Sequence, residues 1–472
     1  MKARPAVLKL ALPGGDLRGP VADLLVQSSL TVAGYREGSR AYRLQLADSV
    51  LVRVFREKDI PIQVALGNYD LGICNLAWVE ELMARYPREA IVKMRNLELG
   101  ISRLVMAAAQ GSLASLSEAA ATRGLRIASE YPSLAEAFAL AARIPSYRIL
   151  PVWGAAEAYP PEDADLTLIA VENEDSLRHQ SLQPLHQLLE GSAWLIANRQ
   201  SLREKDLSPL LEPLMAVGPG SIDGSFLDLP SFPPTTRYAG QEVVTSSRDV
   251  VRVALPDGHL QGPAAKALAA RGLTFAGYDQ RGSVRRPLSP MAGLEAKVIR
   301  PHDMPQLVAL GSFDLAISGR DCLRDHLYRF PSSPVREVAD LDVGGFDLSA
   351  VVSKDLPAGN LDEALAYWRS QGRPVLRLAS EFVNIADHYA RNNHFWRYQV
   401  IPTAGASEGF VPDDADLLIE GTETGETLAR NNLKPIDLLF RSTICLLANK
   451  GKSPEGPRGE IQRSIVAALG GS

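Results

Sequence analysis

Apolar residues in this chain fall into short runs separated by stretches of helical spacing. VLKLAL at 7–12 is nearly continuous and reads as a buried strand, and GPVADLLVQSSL at 19–30 carries its apolar residues on one helical face. DIPIQVALGNY at 59–69 predicts a helix with Asp59 as N-cap, Pro61 just inside and Gly67 just past the last turn. DLGI at 70–73 then reads as a short buried strand. RLVMAAA at 103–109, LRIAS at 125–129 and AWLIAN at 193–198 are strands of the same kind, and Ser129 is expected to face a ligand.

The pattern occurs twice. VLKLALPGGDL at 7–17 returns as VVRVALPDGHL at 250–260, and FREKDIPIQVALGNYDLGI at 55–73 returns as IRPHDMPQLVALGSFDLAI at 299–317. LRIASEYPSLAEAF at 125–138 returns at 376–389, with Ser380 in the place of Ser129, and PVWGAAEAYPPEDADLTLI at 151–169 returns at 402–420. The period of about 245 residues marks a domain-scale duplication. The alternation predicts, for each copy, two α/β lobes with a cleft and a chain that crosses between them twice. The first copy is expected at 1–205, with lobe I at 1–100 and 178–205 and lobe II at 101–177. The second is expected at 248–452, with lobe I at 248–342 and 429–452 and lobe II at 343–428. Residues 206–247, rich in Pro, Gly and Ser, read as an extended linker, and 453–472 as a tail with room for a short helix.

Composition narrows the class. A net charge of −5 gives no global drive toward nucleic acid or an anionic membrane surface. No stretch approaches the roughly 20 apolar residues of a membrane span. Cys74, Cys322 and Cys445 lie far apart without CxxC spacing and read as buried thiols of a cytoplasmic protein. Trp153, Trp194, Trp368 and Trp396 follow apolar patterns and are expected in the core.

Candidate chemistry concentrates in DLLIEGTETGETLARNNL at 416–433. After an apolar strand at 417–419, the residues Glu420, Gly421, Thr422, Glu423, Thr424, Gly425, Glu426 and Thr427 form a predicted loop before a helix from Leu428. Such a loop suits a sugar phosphate: backbone N–H groups and Thr hydroxyls donate to phosphate oxygens, and glycines at positive φ let the backbone approach. Glu420 and Glu423 suit ribose hydroxyls or a hydrated Mg²⁺. The simpler reading of the same residues is a helix capped by Glu426 or Thr427. In copy one the matching segment is IAVENEDSLRHQSL, where Ile169 replaces Glu420 and Glu174 replaces Gly425. Its acids should repel a phosphate dianion.

The ordered set of segments resembles the catalytic chain of the ATP phosphoribosyltransferases, the first enzyme of histidine biosynthesis. ALPGGDL and ALPDGHL are similar to that family's opening strand and loop, and GSRAYRL at 38–44 to its arginine-bearing segment. REKDIPIQVALGNYDLGI with its repeat is similar to the family's helix–strand unit, and ETGETLARNNL at 423–433 to its phosphoribosyl pyrophosphate loop. The resemblance implies tandem two-lobed folds like a periplasmic binding protein, Mg²⁺ as cofactor, and a homo-oligomer or a separate regulatory subunit. It implies transfer of the phosphoribosyl group from phosphoribosyl pyrophosphate to ATP.

Two departures shape the site expected here. The family usually has Lys and Arg in the first loop; this chain has Gly14 and Asp16, and Asp257 and His259, with His259 read as solvent-facing. Arg40 of copy one aligns with Ser283 of copy two. These complementary losses predict one composite site, in which Arg40, Arg56 and Arg300 serve catalysis and the loop from Glu420 to Thr427 binds phosphoribosyl pyrophosphate. Arg43, Asp70, Asp314, Ser318 and Gly319 are candidate contacts for ATP or pyrophosphate, although Asp70 and Asp314 equally suit capping or turn roles. The alternative is a non-catalytic binding or regulatory paralogue that partners an active subunit.

Overall fold

The computed structural model describes residues 7–47, 49–86, 90–121, 124–144, 146–217, 228–230, 250–279, 284–422, 425–450 and 456–470. The alternating pattern folds into four mixed sheets, of six and five strands in copy one and five and five in copy two. In the first lobe of copy one, the buried run Leu8–Pro13 lies parallel to both Val50–Phe55 and Leu71–Asn75. Helices cover both faces, which is why these strands tolerate continuous apolar sequence. Copy two repeats the arrangement with Val251–Pro256, Leu294–Ile299 and Leu315–Gly319. One strand differs. Arg43–Ala47 pairs with Val50–Phe55, whereas Pro287 and Pro290 remove N–H donors from the matching stretch, and a lone Ala276–Leu288 bridge remains there. Among the described residues no helix is long and apolar enough to cross a membrane.

Three expected boundaries change. Leu182–Gly191 pairs antiparallel with Ser102–Ala109, and Leu433–Ser442 with Phe346–Ser353, so both belong to second-lobe sheets. The chain therefore returns to the first lobe at Ser192 and Thr443, rather than at 178 and 429. Each stretch is an edge strand broken by register shifts and a proline, which blurs its period-two signal. The expected linker begins as a helix, Ser208–Ala216, whose Leu210 and Leu214 are fully buried in the first-lobe core. Asp228 of that stretch also donates its N–H to the Leu188 carbonyl at 2.7 Å; residues 218–227 and 231–247 lie outside the described residues. The tail helix Gly456–Ala468 is the counterpart of Ser208–Ala216, with Ile465 packed into the first lobe of copy two.

The copies pack with each first lobe against the other's second lobe. Arg252 meets Asp163 through two bonds of 3.0 and 2.7 Å, and Lys297 reaches Asp163 at 2.9 Å and Glu162 at 2.6 Å. At the positions related by the repeat, Arg53 pairs with Asp413 and Lys9 lies 4.0 Å from Asp414, to which the Tyr69 hydroxyl also donates. Burial alone would push the Asp163 carboxyl up, but Lys297 and Arg252 outweigh it and hold it at about 2 against an ordinary 3.8. The unfolded chain takes up this proton first. The stabilisation is therefore complete above pH 3.8 and is lost as pH falls toward about 2. Asp163→Asn is expected to remove about 2 kcal/mol of acid-dependent stability, visible as a flatter dependence of the urea midpoint between pH 4 and pH 2.

Candidate active site

A cavity of about 670 Å³ runs between the two copies. Copy one lines it with Arg40, Arg56, Lys58, Trp78, Glu130 and Trp153; copy two lines it with Arg300, His302, Glu381, Glu408 and, from the candidate loop and the residue after it, Glu420, Gly421, Thr422, Gly425, Thr427 and Leu428. The candidate arginines and the candidate loop thus share one space.

The loop begins later than its sequence suggests. Glu420, Gly421 and Thr422 still belong to the strand Leu417–Thr422, paired with Ser349, Leu348 and Asp347. Gly421 does not supply a left-handed turn; a Cβ there would lie 2.7 Å from the Phe346 ring, so close packing requires the glycine. Gly425 does supply one, with φ of 70°, and caps the five-residue helix Glu426–Arg430 without a side-chain hydrogen bond. Neither Glu426 nor Thr427 is the cap, and Glu426 instead pairs with Arg430 at 2.7 Å on the surface. Glu423 and Thr424 lie outside the described residues. Thr422 Oγ1 is buried with no hydrogen-bond partner among the described residues, which leaves it available to a ligand oxygen.

Three carboxylates gather beside the loop. Glu420 accepts hydrogen bonds from the Ser407 hydroxyl and from the Gly421 N–H at 3.1 Å. Burial, reinforced by Glu408 and Glu381, pushes its carboxyl up to about 8. Glu381 and Glu408 are raised too, chiefly by burial.

The cations divide into two kinds. Arg40 and Arg56 have no ion-pair partner among the described residues, although both line the cavity. Lys58 sits 4.8 Å from the centroid of the Trp153 ring. By contrast, Arg300 lies 3.2 Å from Asp257, and Arg285 bridges Asp257 at 2.9 Å and Glu157 at 2.7 Å. Arg43 faces Asp413 at 3.9 Å at the lobe contact, away from the cavity lining. Arg56 crosses to copy two at Gly405, where a Cβ would lie 3.1 Å from its Nε and 2.8 Å from Glu381 Oε1. Arg300 makes the reciprocal approach at Gly154 of copy one.

Copy one has no equivalent loop. Ile169, Ala170 and Val171 replace Glu420 to Thr422, and a pocket of about 330 Å³ there is lined by Glu130, Glu157 and Glu172. Its helix, Glu174–His179, is capped by the Asn173 side chain, so no left-handed glycine turn precedes it.

Several expected contacts belong to the scaffold. Asp70 is buried and accepts from Lys9 N, from Ser201 Oγ at 2.6 Å and from Lys205 Nζ at 2.7 Å. Asp314 accepts from Arg252 N at 2.9 Å and from Arg458. Ser318 donates to the Pro301 carbonyl, and Gly319 caps the helix Arg320–Arg329, with no room for a Cβ beside Asp321. Ser129 and Ser380, expected to face a ligand, are each fully buried and donate back to a strand carbonyl, of Leu168 and Ile419. Conversely, Trp153 leaves the core to stack on His302 at 4.5 Å, and His259 faces the cavity beside Phe346. Lys58, Glu381 and Glu408 were missed. The repeat carries a signal for the acids, since Glu130 and Glu157 occupy the matching positions in copy one.

A family model described as HisG, ATP phosphoribosyltransferase, matches residues 56–216 and 300–469. The ATP phosphoribosyltransferase of Picosynechococcus sp. is 32% identical over 202 residues, spanning 42% of this chain and 90% of that protein. That of Rubrobacter xylanophilus is 30% identical over 221 residues, spanning 47% of this chain and 95% of its own length. A solved ATP phosphoribosyl transferase (HisG:HisZ) complex from Thermotoga maritima is 23% identical, covers 44% of this chain and 97% of its own, and has a TM-score of 0.36.

Proposed function

The chain belongs to the ATP phosphoribosyltransferase family, and from that premise we propose that its two copies build one transferase site. The reaction is the family's, the first step of histidine biosynthesis. A ring nitrogen of the adenine in ATP attacks the anomeric carbon of phosphoribosyl pyrophosphate, and the carbon–oxygen bond breaks with its electron pair leaving on pyrophosphate. The observation that carries this reading is that Arg40 and Arg56 of copy one, without ion-pair partners among the described residues, line the same cavity as Glu420, Thr422, Gly425 and Thr427 of copy two.

Each part then has a physical task. Gly425, Thr427 and Thr422 grip the 5′-phosphate, and Glu420 orients the ribose diol. Arg40 and Arg56 take the charge that grows on the departing pyrophosphate. Arg300, already partnered by Asp257, contributes less. Positioning and charge stabilisation suffice, and no covalent nucleophile is needed.

Among the described residues no three His, Cys, Asp or Glu side chains are arranged to hold a metal ion. The hard oxygens of Glu420, Glu408 and Glu381 nevertheless fit Mg²⁺ that arrives on substrate phosphates, an ion that needs only one or two protein carboxylates. Bound there, Mg²⁺ would neutralise pyrophosphate charge.

Calorimetric titration of phosphoribosyl pyrophosphate with Mg²⁺, followed by a pyrophosphate-release assay with ATP, tests the proposal. One site per chain with turnover is expected. One site without turnover would instead identify a binding or regulatory paralogue, which the missing first-loop Lys and Arg would suit. Two sites would overturn the assignment to copy two, and no binding would reduce the loop to a structural turn.

A further inference from the structure

The segment that carries Arg40 is held from both copies. Within copy one, buried Arg18 donates to the Ser39 carbonyl at 2.6 Å and to the Ala41 carbonyl at 2.8 Å, straddling Arg40. From copy two, the Asn431 side chain reaches the same place. Its Oδ1 accepts from the Tyr42 N–H at 3.1 Å, and its Nδ2 donates to the Thr427 carbonyl at 2.9 Å and to the Arg40 carbonyl at 3.5 Å. Asn431 is only 2% exposed.

Resting on the composite-site reading above, we propose that Asn431 is a positioning residue that ties the phosphoribosyl loop to the Arg40 segment across the two copies. A carboxamide suits this task because it offers an acceptor and donors on one rigid plane, and here both ends are used. The Nδ2 end holds the carbonyl of Thr427, in the short helix that follows Gly425, and also reaches the Arg40 carbonyl. The Oδ1 end holds the Tyr42 N–H, so the backbone is fixed on either side of Ala41 and the exposed Arg40 side chain starts from a defined point facing the loop. Without the tie, Arg40 hangs from a segment anchored on one side only.

The other half of the molecule lacks the device. Gln180 occupies the position matching Asn431, and among the described residues its side chain makes no hydrogen bond. Arg285, which matches Tyr42, is instead drawn to Glu157 and Asp257. The tie is thus present where the loop is intact and absent where it is not.

A double-mutant cycle tests the coupling. Phosphoribosyl pyrophosphate with Mg²⁺ is titrated calorimetrically into the full chain, into Arg40→Ala, into Asn431→Ala and into the double variant. Each single change is expected to weaken binding about tenfold, and the double about tenfold to twentyfold, because the second change removes an interaction already lost. In Asn431→Ala kcat should fall together with a rise in KM for phosphoribosyl pyrophosphate, because Arg40 meets the pyrophosphate both as bound and as it leaves. Asn431→Ser, which keeps a small polar group, gives the same comparison if the alanine variant does not fold. A hundredfold loss in the double variant, or wild-type affinity in Asn431→Ala or Asn431→Ser, overturns the tie while leaving the transferase reading intact. Absence of binding by the unmodified chain overturns both.

Discussion

Gly425→Glu is expected to abolish phosphoribosyl pyrophosphate binding while the chain stays folded. The position stands at the turn from strand to helix with φ of 70°, and among the described residues a Cβ there meets nothing nearer than Thr422 Cγ2 at 4.0 Å. Strain is therefore the main structural cost, about 1–2 kcal/mol for an L-residue in the left-handed region. The electrostatic cost is larger. A carboxylate about 4 Å from a phosphate charge opposes it by about 4 kcal/mol at an effective dielectric of 20. A loss of more than about 100-fold in affinity follows, since each 1.4 kcal/mol is tenfold. Gly425→Ala separates the two effects, because it carries the strain without the charge and should keep most of the affinity. Titration calorimetry with a thermal unfolding scan of each variant decides the matter. Affinity of the glutamate variant within tenfold of wild type would place the phosphate elsewhere.

The substitution imitates what copy one has already done at Glu174, and the repeat is what made so much readable. Two occurrences of each strand and helix, about 245 residues apart, separated fold-determining positions from tolerant ones. Arg40 and the loop could be grouped in advance because each copy lacked what the other kept. The rest depended on pairings that no local pattern encodes. Asp70 and Asp257 both look like polar residues at strand ends. Only the folded chain shows that Asp70 is consumed by Ser201 and Lys205, and that Asp257 holds Arg300 and Arg285. The edge strands Leu182–Gly191 and Leu433–Ser442 escaped notice because bulges break their alternation, and Trp153 because a cavity wall and a core look alike in one dimension.

That hidden pairing makes the two related arginines unequal, and Arg56→Ala should therefore cost far more turnover than Arg300→Ala. Both sit at the end of the same strand in their own copies and reach across to a glycine of the other copy, Gly405 or Gly154. Their surroundings differ. Arg300 is 3.2 Å from Asp257, so part of its charge is already neutralised, and its side chain is 42% exposed. Arg56 has no ion-pair partner among the described residues and lies with Glu381 over Gly405, beside the loop that is proposed to hold the ribose phosphate. A preorganised donor aimed at developing charge is worth about 100- to 1,000-fold in kcat, which sets the expected loss for Arg56→Ala. Arg300→Ala should lose about tenfold or less, the weight of a charge that salt and an existing ion pair already screen. Asp257→Asn sharpens the comparison, since it releases Arg300 and should then make Arg300→Ala costlier in that background. Steady-state pyrophosphate release from the four variants measures all of this. Equal losses for the two arginines would mean that copy one's half still takes part in the chemistry on the same terms as copy two's.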